Sequence, residues 1–489
     1  MGRLPYLAQL KDVYSFGRTT TARSTLPILI RRIILQSNQT ITFIKMPGEE
    51  DTDLGGYDGQ VRAGQGNAFV PSGYSVWEFG TSRGIKAKAN SDYNKRTKNP
   101  LGINQSETTF VFVTLGRWAD AQAWACEKNK EGKWKEVRVY TADDILTALE
   151  ETPAVYLWFS EMCGKSVHGL SSLETWWNDY RKPCDNLLTS ELVLCDRSNE
   201  RSLLKKKLND NKPSQIIIRS VTIEDCLAFV AATLLSEEQG MLSKAVVVSE
   251  ASALEYLGQV SERLIVLLSD AALVREAELL TGHHIVIGVN KVQQVGPTIN
   301  LPDISYQKAL NYFKTKSIPD EKQAEYARAA HKSLPLLRNK IALTPLPDEL
   351  LPNSNSPHVN QLVRRAWMLG RWDGAIKGDA DVVARFVIDP SDEELTAALL
   401  KDANSANPVF SMFGSVRAVI SPIESAERFL QAITRSDLDA FREVVCSVLE
   451  EANPALYFQT SSDGRQKFME RGGKNLTILE RELVLHLPC

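Results

Sequence analysis

Two acidic side chains twenty residues apart, Asp58 and Glu78, carry the chemistry this chain offers most readily. Asp58 lies in a glycine-flanked turn, Gly56-Tyr57-Asp58-Gly59, and Glu78 ends a short apolar run, Tyr74-Ser75-Val76-Trp77. A basic stretch follows, with Arg83, Lys86, Lys88, Lys95, Arg96 and Lys98 opposed only by Asp92. A turn Asp and a strand-end Glu can converge on one Mg²⁺ or Mn²⁺, which takes hard oxygen ligands and keeps several waters. Lys86 or Lys88 then stands close enough to orient an attacking water or to steady charge on a phosphate. Arg83, Lys95 and Arg96 would hold a nucleic-acid backbone. Each feature alone has a plainer meaning: turn chemistry for the Asp, a solvated strand end for the Glu, a solvated helix face for the charges. Their order along the chain is what points to phosphodiester hydrolysis.

These side chains need a scaffold. Leu26, Ile30, Ile33 and Ile34 recur at helical spacing behind Ser24-Thr25, and residues 40–45 alternate like a strand. An acidic, Gly-containing segment leads to the Asp58 turn. Residues 76–79 form the next strand, and 85–98 a helix whose basic face points outward. Residues 110–114 (FVFVT) read as a buried strand, 119–127 as a short helix, 136–140 as a strand and 143–150 as a closing helix. Six tryptophans, at 118, 124, 134, 158, 176 and 177, suit cores and domain interfaces better than base stacking.

This order, with its Asp58/Glu78 pair, resembles the PD-(D/E)XK restriction-endonuclease-like superfamily. The phrases GGYDG, VPSGYSVWEFG, KANSDYNKRT and TFVFVT, spread over about sixty residues, are similar to the N-terminal nuclease-like domain of large bacterial anti-phage defence proteins with a STAND-type, P-loop-ATPase-like middle. The resemblance implies metal ligation by Asp58 and Glu78 and cleavage of DNA. The superfamily pattern sets a lysine two residues after the Glu; Gly80 stands there, and Lys86 and Lys88 follow as candidates for the displaced amine.

Length and composition allow this. The chain has 489 residues, enough for two to four domains. Hydrophobic content of 43% and charged content of 24% are those of a globular protein, and no run of eighteen apolar residues predicts a membrane span. A net charge of −3 excludes a chain basic throughout but not a local basic stripe. Seven cysteines without CxxC spacing fit neither a disulfide framework nor a zinc ribbon, and predict a reducing cytoplasm.

From about residue 190 to 300 the pattern becomes strand–helix alternation, with QIII, KAVVVS, RLIVLLS and HIVIGV as strands of a parallel sheet. A nucleoside triphosphatase would carry a Gly-rich loop ending GK[ST] after its first strand. Arg219-Ser220-Val221-Thr222-Ile223-Glu224 stands there instead, so no intact nucleotide site is expected. His283-His284 reads as the start of a strand rather than a metal site. Residues 301–489 read as short helices with a linker at 344–358 and a hairpin strand over 412–420. A helix is expected at 426–433, and another over the last fifteen residues. This region suggests a helical lid and a winged-helix-like bundle that binds a protein partner or a second copy of the chain.

The expectation is an α/β multidomain protein. A nuclease-like domain spans 1–165, a degenerate ATPase-like domain 190–300 and a helical region 301–489. Its function would be metal-dependent DNA cleavage in defence. The alternative is a catalytically inactive nucleic-acid-binding sensor or assembly subunit.

Overall fold

The computed structural model describes residues 7–48, 56–82, 84–237, 239–291, 296–342, 357–387, 393–403, 408–420 and 432–450, with Ser425 and Phe429. Arg83 lies outside these residues. So do nearly all of the linker expected at 344–358, most of the helix expected at 426–433 and the C-terminal tail.

The first sheet is built on the most apolar strand. It follows α1 (Leu10–Phe16) and α2 (Ala22–Ser37), and runs through β1 (Ile41–Lys45), β2 (Gly59–Ala63), β3 (Gly73–Gly80), α3 (Ile85–Lys98), β4 (Thr108–Thr114), α4 (Ala121–Lys130) and β5 (Glu136–Tyr140). α5 (Ala142–Glu150) and α6 (Pro153–Met162) follow. The strand order is β1-β2-β3-β4-β5. The β1–β2 and β2–β3 junctions are antiparallel, and β3–β4 and β4–β5 are parallel. β4 is buried along its whole length, as a strand covered on both faces must be. Trp77, Phe79, Val111 and Val113 share one core with α2, α5 and α6. Val76, Phe110 and Phe112 alternate to the other face, under Ala89 and Tyr93 of α3 and Trp124 of α4. Burying each such aromatic ring contributes about 1.5–3 kcal/mol. Trp124, Trp134, Trp158 and Trp177 are core residues. β2 was not expected: GQVRA turns only Val61 and Ala63 fully inward between polar neighbours.

The second sheet comprises β6 (Leu170–Ser172), β7 (Gln215–Ser220), β8 (Ala245–Val248), β9 (Ile265–Leu268), β10 (His284–Asn290) and β11 (Ile299–Asn300). Its order is β11-β7-β10-β9-β8-β6. All neighbours are parallel except β6, which pairs antiparallel with β8. The four apolar strands read from the sequence are present; the two short edge strands were not anticipated. Phe229 of the helix Ile223–Glu237 shares one core with Phe313, Tyr326 and Leu337 of the helices Tyr306–Lys314, Asp320–Lys332 and Leu334–Ile341 on one face of this sheet. On the other face, Val246, Val266 and Ile285 share a cluster with Leu7 and with Ala154 and Leu157 of α6.

A third core lies further along the chain. The helices Pro357–Leu369, Lys377–Phe386, Glu393–Ala403 and Arg435–Glu450 surround β12 (Arg371–Asp373), β13 (Phe410–Phe413) and β14 (Val416–Val419). These strands form an antiparallel sheet in the order β12-β14-β13, closed over Leu362, Phe386, Phe410 and Phe429.

Candidate metal-binding and catalytic site

The antiparallel register of β2 and β3 sets Gly59 opposite Trp77. Asp58 immediately precedes Gly59, so the turn that enters β2 brings it to the end of β3 that carries Glu78. The Phe79 backbone N–H donates to Asp58 Oδ2 at 2.8 Å, fixing the turn carboxylate against the strand end. Glu78 shares a strand face with Val76, toward α3, and is 2% exposed. Burial first, and the neighbouring Asp58 charge second, push Glu78 up to about 8, against the Arg96 hydrogen bond that favours the ion. Asp58 is half-buried, and burial raises it too, opposed by the Phe79 N–H and then by the Lys88 charge.

α3 supplies the rest. Its buried residues, Ala89, Asp92, Tyr93 and Arg96, form one i, i+3, i+4, i+7 stripe. The helix therefore does not present all its basic residues outward. Arg96, expected on the nucleic-acid face, is 5% exposed. Its Nε donates to Glu78 Oε1, its Nη2 donates to the Gly56 carbonyl, and the guanidinium lies 4.7 Å from the centre of the Tyr57 ring. The physical reason is position: residue 96 falls on the packed stripe, and Glu78 offers a buried acceptor that needs a hydrogen-bond donor. Lys95 is exposed.

The two candidate lysines separate. Lys86 is exposed. Lys88 Nζ donates to Asp92 Oδ1 at 2.9 Å, one turn along α3, and the Lys88 charge acts directly on Asp58. Asp92, passed over in the sequence as a lone acid in a basic run, is 5% exposed, and its Oδ2 is buried without a hydrogen-bond partner. The signal for it was available: Asp92 sits at stripe spacing from Ala89 and Arg96.

Gly80 has a packing reason. A Cβ there would lie 2.5 Å from Cζ of Phe112, closer than any real contact. Phe112 in turn packs against Trp118 and Trp124, with ring centroids 6.3 and 6.4 Å away. A lysine at position 80 cannot be accommodated while that ring stands where it does. Of the two candidate lysines, Lys88 is the one paired with a buried acid, Asp92.

In the middle region, the helix after β7 satisfies its own N-terminus. Thr222 and Asp225 form a reciprocal capping box: Asp225 Oδ2 accepts from the Thr222 N–H at 3.2 Å and Thr222 Oγ1 accepts from the Asp225 N–H at 3.2 Å. Asp225 Oδ1 also accepts from the Leu334 N–H at 2.9 Å. A carboxylate thus occupies the place where a helix N-terminus would meet phosphate. A separate cavity of about 280 Å³ opens beyond β7 and β10, lined by Val221, Lys291, His331, Lys332, Phe410 and Met412 among others. His283 and His284 are buried at the start of β10, and His283 Nδ1 accepts from the Leu264 N–H at 3.2 Å.

Asp58 and Glu78 carry hard oxygen atoms, and Asp92, on the helix stripe that packs over the Glu78 face of β3, has a buried Oδ2 without a partner. Among the described residues no three His, Cys, Asp or Glu side chains converge closely enough to enclose an ion. No helix among the described residues is long and apolar enough to cross a membrane. No protein-family model matches the chain, and no curated protein matches it.

Proposed function

We propose that this chain is a divalent-metal-dependent endonuclease of the PD-(D/E)XK type, cutting DNA, with a regulatory ATPase-like scaffold and a winged-helix-like C-terminal part. The observation that carries the reading is Asp58 held on the Phe79 N–H, next to Glu78 in sequence, with Lys88 and Asp92 paired on the helix over that strand face. Mg²⁺ or Mn²⁺, when bound, supplies a Lewis acid and lowers the pKa of water. Asp58 and Glu78 would hold it. Arg96 fixes one oxygen of Glu78 and so orients the other. Lys88, held by Asp92, offers positive charge and a proton donor to phosphate oxygens as charge develops on them. Lys95 and Arg83 would grip the backbone of the substrate. The setting in bacterial defence rests on the resemblance of the four sequence phrases alone.

A second reading has specific support. Arg96 already occupies one oxygen of Glu78, and the Phe112 ring against Gly80 excludes the usual lysine. Both favour a subunit that binds nucleic acid without cutting it. Incubation of plasmid and single-stranded DNA with Mg²⁺, and with a chelator, separates the two. The first reading expects cleavage in Mg²⁺ only, lost by roughly 10³-fold or more in D58N and E78Q. Wild-type rates in D58N would sink it; binding without cleavage by the native chain would favour the second.

A further inference from the structure

Asp92 has two oxygens in different circumstances. Oδ1 accepts from Lys88 at 2.9 Å, while Oδ2 is buried and has no hydrogen-bond partner. A buried carboxylate oxygen left unpaired is costly, because the solvation lost on folding is not replaced. The side chain is 8% exposed, held inward on the packed stripe of α3. Its charge is felt by both Asp58 and Glu78. Of Asp58, Glu78 and Asp92, only Asp92 has an oxygen that is both buried and without a hydrogen-bond partner in the protein.

We propose that Asp92 is a positioning residue of the active site: Oδ1 fixes the Lys88 amine beside Asp58, and Oδ2 receives a hydrogen bond from a water that solvates the cation. This rests on the metal-dependent reading above and deepens it. A direct ligand would need three acids converging on the ion, which the described residues do not provide. A hydrated cation needs only an acceptor facing its waters, and such outer contacts orient a metal site as strongly as many ligands do. The assignment also accounts for Gly80. With Phe112 excluding a side chain from β3, the amine comes from α3 and needs a separate anchor, and Asp92 is that anchor.

The test uses the full chain and Mn²⁺ alone as probe, with affinity and the hydration of the bound ion read by water-proton relaxation, beside DNA cleavage kinetics in Mg²⁺. D92N keeps the side chain's size and its acceptor for Lys88, but puts an N–H donor where the water needs an acceptor. It is expected to weaken Mn²⁺ binding about 10-fold, to change the relaxation of the bound ion and to lower kcat about 10- to 100-fold, with KM nearly unchanged. D92E keeps the charge on a longer arm; it should restore Mn²⁺ affinity to within about threefold while kcat stays low. It also serves as the second variant should D92N fail to fold, as judged by thermal unfolding. Wild-type kcat in a folded D92N or D92E variant, or unchanged Mn²⁺ affinity and relaxation in D92N, overturns the proposal. If D58N abolishes Mn²⁺ binding while D92N does not disturb it, the inference fails and the nuclease reading stands. If the native chain binds no Mn²⁺, both fall together.

Discussion

Raising the pH from 6 to 8 should tighten divalent-cation binding at Asp58 and Glu78 about fiftyfold. Burial, and then the adjacent Asp58 charge, place Glu78 at about 8 without a cation. Only the carboxylate ligates. With that pKa, its ionised fraction climbs from about 1% at pH 6 to about half at pH 8, so the apparent association constant climbs in proportion. Roughly one proton leaves per cation bound below pH 7. Titration calorimetry with Mn²⁺ at pH 6, 7 and 8, in buffers of different ionisation heat, measures both quantities. E78Q should bind weakly and release no proton. The same group sets the stability of the cation-free protein. Between about 4.5 and about 8 the folded chain holds a proton on Glu78 that the unfolded chain has released. Stability therefore falls as pH rises through that window, by an amount of order several kcal/mol, and E78Q should flatten the decline. A cation affinity independent of pH between 6 and 8 would refute the claim that Glu78 is a buried, protonated ligand in waiting.

Other outcomes follow from single contacts. K88M should lower Mg²⁺-dependent cleavage by roughly 10²-fold or more, and K86M should leave it within about threefold, measured as kcat on plasmid DNA. G80A should destabilise the cation-free chain by about 1–3 kcal/mol in urea unfolding, because its methyl group meets the Phe112 ring. D225A removes both a helix cap and the acceptor for the Leu334 N–H, and should cost about 1–3 kcal/mol in the same assay. K95E should weaken DNA binding for all sequences alike and lower the salt dependence by about one phosphate contact; an unchanged slope would place the backbone elsewhere.

What the sequence declared, it declared through continuous burial or strict period. TFVFVT, AVVV, IVLL and HIVIGV are strands because both their faces are covered, and nothing polar interrupts them. α6 (PAVYLWFSEM) escaped notice for the converse reason: apolar nearly all round, it has no amphipathic face to betray a helix. β2 escaped because two inward residues in GQVRA are too few to make an alternation convincing. Asp58 and Glu78 lie in the turn and on the strand that the sequence predicts for them. Arg96 and Asp92 were misjudged because charge was read by composition instead of by helical position. Ala89, Asp92, Tyr93 and Arg96 mark the buried stripe of α3, and two of those four side chains are charged. Polar residues on an inward stripe are the sequence signature that would have found them.

The contact between Gly80 and Phe112 ties two neighbouring strands together at one point. Any side chain at position 80 meets the ring, and trimming the ring to make room leaves a hole that costs about 3–5 kcal/mol. Substitution at either position alone is therefore costly, and the two residues tolerate change best as a pair.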